Sequence, residues 1–109
     1  MTKVFAIILR SRFPAVAFTP PPDKIMFEIY RDVSRNGAYE VIYFTELDDH
    51  NREAEINRAA NGEHIYDGFI RNRGKDQAKL VLGSILERLN KGESLQAAEI
   101  ERALLPYTA

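Results

Sequence analysis

Ala78, Val81, Leu82, Ile85, Leu86 and Leu89 recur at intervals of three and four along residues 75–91, which predicts an amphipathic helix with one wide apolar stripe. Such a helix gains its stability by burying that stripe, so the rest of the chain has to supply a surface for it. Asn90, Lys91 and Gly92 end the helix; Ser94 is expected to cap a shorter one carrying Ile100, Ala103 and Leu104, closed by Pro106. The short turn between them predicts an antiparallel helix pair.

The opposing surface is expected from the N-terminal half. Residues 4–9 form an unbroken, β-branched apolar run, read as a strand buried on both faces, and residues 15–18 are expected to pair with it. The prolines of "TPPPD" exclude a helix interior or central strand and make residues 19–23 an extended connector. Two readings compete for "KIMFEIYRDVSRNGAYEVIYFTE". As a helix, Ile25, Met26, Ile29, Tyr30 and Val33 share a face, with Asp23 as N-cap and Gly37 just past the end. As a hairpin, Asn36 and Gly37 form a type I′ turn that pairs Ile29 with Phe44, Tyr30 with Tyr43 and Arg31 with Ile42. The hairpin is the expectation, because it uses the strong β-formers on both sides of the turn. Residues 39–44 are a strand in either reading.

"DDHNREAEINRAANG" turns to helix formers, with Asp48 or Asp49 as N-cap and Gly62 as terminator. Only Ala54, Ile56, Ala59 and Ala60 are apolar there, so this helix belongs on the surface. The expected fold is one α+β domain over residues 1–109: a small, mainly antiparallel sheet from the N-terminal half, packed by about three helices from the C-terminal half.

Composition narrows function more than it points to one. Hydrophobic residues at 45% and charged residues at 28% give the balance of a packed globular chain. The absence of cysteine excludes disulfides, thiolate zinc sites and cysteine nucleophiles. A net charge of -1 offers no polyanion attraction, and the last helix carries Glu99 and Glu101 beside a lone Arg102, so nucleic acid is not expected as a partner. The apolar run at the start is too short for a signal-peptide core or a membrane span, which makes the cytoplasm the expected compartment. Charge is uneven: residues 23–62 hold nine acids against five bases, and solvated faces explain that better than a docking patch.

Varied reactive side chains gather in one stretch, "NGEHIYDGFIRNRGKD". It is expected to be a loop over residues 62–75, pinned to the core by Ile65, Tyr66, Phe69 and Ile70, with Gly62, Gly68 and Gly74 supplying left-handed conformations. Its functional reading rests on Arg71, Arg73 and Lys75, which lead into a helix start where unpaired N–H groups favour an anion. His64, Tyr66 and Asp67 complete the candidate ligand-binding set. A nucleotide P-loop is excluded, since five residues separate Gly68 from Gly74 and Asp76 follows the lysine.

His50 with Glu53 and His64 with Asp67 are two His-x-x-acid pairs, yet they lack a metal-site spacing signature, and no metal or cofactor is expected. None of Ser11, Ser34, Ser84 and Ser94 lies in a Gly-x-Ser-x-Gly turn, so no catalytic residues are assigned. Tyr30, Tyr39, Tyr43 and Tyr66 fit a partner-binding face, and fit better a sheet face covered by the chain's own helices. The functional expectation is a non-enzymatic interaction or regulatory domain with a protein partner. The alternative is a small-ligand or anion-binding protein, or a minor enzyme, built on residues 62–75. A homo-oligomer is compatible with both.

Overall fold

The computed structural model describes residues 22–34 and 36–108. The strands expected at residues 4–9 and 15–18, and most of the proline connector, lie outside them. The described residues form three strands, β1 (Lys24–Asp32), β2 (Ala38–Tyr43) and β3 (Glu63–Arg71), and three helices, α1 (Arg52–Asn61), α2 (Lys75–Asn90) and α3 (Ala97–Leu104). The sheet is antiparallel in the order β2-β1-β3. The class is α+β, as expected, with the third strand drawn from the stretch read as a loop.

β1 is the axis of the molecule, and its alternation explains why. Ile25, Phe27 and Ile29 point to one face, where they pack with Ile70 and with Ala78, Leu82, Ile85 and Leu89 of α2 and Ile100 and Leu104 of α3. Met26 and Tyr30 point to the other, against Ile42, Phe44 and α1's Ile56 and Ala59. A strand covered on both faces reads as nearly continuous apolar sequence, which is why "IMFEIY" also passes for a helix. The stripe of α2 is core, as its spacing predicts.

The hairpin forms in a register different from the one expected. Ile29 faces Val41, Tyr30 faces Glu40 and Arg31 faces Tyr39. Five residues, 33–37, connect the paired Asp32 and Ala38, in place of a two-residue turn. The buried Asp32 carboxylate accepts hydrogen bonds from the Ser34 N–H at 2.9 Å and hydroxyl at 2.6 Å, and its carbonyl accepts one from the Gly37 N–H at 3.1 Å. Asn36 and Gly37 do take left-handed φ values, 57° and 74°, but inside that longer loop. The shift is odd, so it exchanges sheet faces: Tyr43 lies with Phe27 and not with Tyr30.

Two caps also differ. Asn51, not Asp48 or Asp49, precedes α1, and Gln96, not Ser94, caps α3 through a reciprocal box with Glu99. Gly62 does end α1, but with φ at -81°, so left-handed freedom is not its reason. A Cβ there would stand 2.8 Å from the Arg31 carbonyl oxygen and 2.8 Å from the Tyr30 ring. Close approach between the end of α1 and β1 demands the glycine.

Candidate functional site

The candidate ligand set of residues 64–75 is divided by β3, because successive residues of a strand face opposite ways. Glu63–Arg71 pairs with β1 along its length, which corrects the loop reading. The register slips by one between Ile29↔Tyr66 and Tyr30↔His64, leaving Ile65 as the extra residue of a bulge. Without that slip His64 would share the face of Ile29. The bulge turns it onto the opposite face, beside Glu28.

Glu28 is 2% exposed and sits directly across from Asp67. Two facing carboxylates repel, and His64 lies between them, with Nδ1 2.8 Å from Glu28 Oε2 and Nε2 3.4 Å from Asp67 Oδ1. A neutral imidazole donates from one nitrogen only, and an imidazolium from both. Each ring nitrogen faces an acid, so His64 links two carboxylates instead of standing ready as a base for a hydroxyl. Among the described residues no group of three or more His, Cys, Asp or Glu side chains is arranged to hold a metal ion.

Tyr66 lies on the other face, its ring 6.1 Å from that of Phe27. Burial first, then Glu101 and Asp67, push its phenol above the ordinary tyrosine range. Tyr39 and Tyr43 are half-buried on that same face and Tyr30 is buried on the opposite one, so the tyrosines belong to faces covered by the chain's own helices.

Arg71 and Arg73 come together with a residue the sequence reading missed. Lys24 pairs across the strands with Arg71, and both, with Asp23, Asn72 and Arg73, line an open concavity of about 460 Å³ at the end of the sheet. The Asn72 N–H donates to the Asp23 carbonyl at 2.8 Å and closes the strand ends there. Arg71 Nη2 donates to the Pro106 carbonyl at 3.0 Å, and Lys24 Nζ donates to the Thr108 carbonyl. Arg73 is exposed. Among the described residues of this lining, three cations thus meet one carboxylate.

Lys75 belongs to a neighbouring cluster. It and Lys79 both bind Glu46, Lys75 at 3.0 Å. Burial would raise the Glu46 carboxyl, but hydrogen bonds from Lys79 and Lys75 outweigh it and hold that group below the usual carboxylate range. Of the residues missed, Glu28 had a readable signal: a lone acid inside an apolar strand needs a partner. Lys24 had none, since its place opposite Arg71 depends on a pairing distant in sequence.

No family model, curated protein or solved structure matches this chain. No helix among the described residues is long and apolar enough to cross a membrane.

Proposed function

We propose that this chain is a non-enzymatic binding module for an anionic group, a phosphate or a carboxylate, taken up by Lys24, Arg71 and Arg73 at the end of the sheet. The observation that carries the reading is the lining of the concavity, where the described residues set three cations and an amide side chain against one acid, Asp23. Its volume of about 460 Å³ suits a small metabolite or an acidic side chain of a partner protein. Arg71 and Lys24 are steadied by the carbonyls of Pro106 and Thr108; Arg71 Nε is buried, so its outer guanidinium N–H groups and the remaining Lys24 Nζ protons are the ones left for a ligand. The exposed Arg73 supplies a guanidinium that can grip an oxyanion with two donors. A regulatory or interaction role in the cytoplasm is the setting this reading favours.

The non-enzymatic part is supported by the disposition of His64, flanked by two carboxylates on a different face. Titration with inorganic phosphate, followed by backbone NMR shifts at Asn72 and Arg73 and by melting temperature, tests the reading. Saturable shifts at those two residues that vanish in Arg73→Gln are expected. Shifts spread evenly over all surface cations, unaltered by the substitution, would reject the site.

A further inference from the structure

The outer edge of β2 is the second surface with a defined chemistry. Tyr39 donates its N–H to Asn90 Oδ1 at 2.8 Å and accepts from Asn90 Nδ2 at 3.1 Å, so both of its main-chain groups point away from β1. Antiparallel alternation then turns the main-chain groups of Val41 and Tyr43 to the same side, where no other described residue pairs with them, while Ala38, Glu40 and Ile42 bond to β1. The amide of Asn90, the last residue of α2, occupies the place of one residue of a neighbouring strand.

Edges of sheets are ordinarily protected by lysine, proline or a bulge. "AYEVIY" contains neither lysine nor proline. Its one charge, Glu40, faces α1, within 3.4 Å of the Tyr30 hydroxyl and 4.0 Å of Arg58. Lys79, the cation beside this edge, is held by Glu46 and lies 4.7 Å over the Tyr43 ring. The segment is also self-complementary. With Val41 on a two-fold axis, Val41 faces its own copy, Tyr39 faces Tyr43 of the second copy, and Glu40 faces Ile42, so no like charges meet and aromatic pairs form at both ends. On the same flank of α2 as Lys79 and Asn90, Gly83 adds no side chain, and a Cβ there would meet no described atom within 4 Å.

We propose that the β2 edge is a self-association surface on which a second copy of the chain pairs antiparallel about Val41, and that the Asn90 amide is the plug that competes with it. Association exchanges the two Asn90 hydrogen bonds for main-chain ones, and the exposed Asn90 side chain turns to water.

Sedimentation equilibrium over a range of concentrations tests this. Asn90→Ala is expected to self-associate about tenfold more tightly than the wild type, equal to about 1.4 kcal/mol. Adding Val41→Pro, which removes an N–H facing away from β1, should return it to the monomer. An Asn90→Ala chain no more associated than the wild type, or one that Val41→Pro leaves associated, overturns the proposal. A second measurement needs no change at Asn90. The chain has no cysteine, so Val41→Cys can cross-link only between copies, and Leu80→Cys, at a position 69% exposed on the outer side of α2, reports random collision. Faster oxidation to dimer at position 41 than at the more exposed position 80 supports the two-fold; equal or slower oxidation refutes it.

Discussion

The two faces of β1 are built from alternate residues of one strand and obey different chemistry. Towards α2 and α3 the strand presents Ile25, Phe27 and Ile29, and the described residues fully buried against them are apolar. Towards α1 it presents Met26, Glu28, Tyr30 and Asp32, so the same depth of burial contains two carboxylates, each 2% exposed. The first face needs only volume and shape. The second needs partners, and it recruits them from elsewhere: His64 and Asp67 beside Glu28, Ser34 and Arg58 beside Asp32. A face held by dispersion and water exclusion needs no charged partner, whereas a buried carboxylate does.

Substitutions can break that contrast. The largest effect is expected on the apolar face: Leu82→Ala, at a fully buried position, should cost about 2–5 kcal/mol in denaturant unfolding, with little change between pH 6 and pH 9. A loss below about 0.5 kcal/mol would mean the helix stripe is not core. On the polar face, His64→Ala removes a hydrogen-bond partner from the buried Glu28 and should cost about 1–3 kcal/mol. If the two costs were reversed, the polar cluster and not the apolar stripe would be the main support of the sheet.

Gly62→Ala tests how tightly α1 is seated on the polar face. The added methyl would meet backbone at Arg31, and a cost of about 1–3 kcal/mol is expected from forced displacement. An unchanged melting temperature would show that α1 is free to shift.

Alkaline titration reaches both faces, through Tyr30 on one and Tyr43 on the other. Burial, helped by Glu40, pushes the Tyr30 phenol up to about 12 from 10.0. Its folded pKa exceeds its unfolded one, so its contribution is complete below pH 10 and is lost as pH rises towards 12. Tyr43 is likewise raised to about 12, by burial and then Glu46. Stability should therefore fall over that window, and Tyr30→Phe should make the fall shallower without altering the plateau below it by more than about 1 kcal/mol. A fall of equal slope in the variant would assign the effect elsewhere. The smallest change is expected at the sheet end, where Arg73→Gln should leave stability within about 0.5 kcal/mol while abolishing phosphate-induced stabilisation. Arg71→Gln should cost more, since Arg71 also holds the Pro106 carbonyl.

What the sequence alone determined is whatever depends on near neighbours. The stripe of α2, the end of α1 at Gly62, the left-handed pair Asn36-Gly37 and the existence of a hairpin are set by spacing and turn chemistry within a dozen residues. That Arg71 and Arg73 lie close together was legible in the same way, being two residues apart. Whatever depends on a distant partner was settled by the fold. "EHIYDGFIR" has apolar pairs at Ile65-Tyr66 and Phe69-Ile70, a spacing that suits a helical turn better than a strand, and it is extended because β1 offers it a ladder of hydrogen bonds. The hairpin register followed the side-chain bonds of Asp32, not the favoured dipeptide. Above all, the face on which His64 lies was fixed by a one-residue bulge opposite Ile29 and Tyr30. Local pattern specifies an element's period, but a strand's partner and register are chosen by burial across the whole sheet, where a slip of one residue turns a side chain from one face to the other.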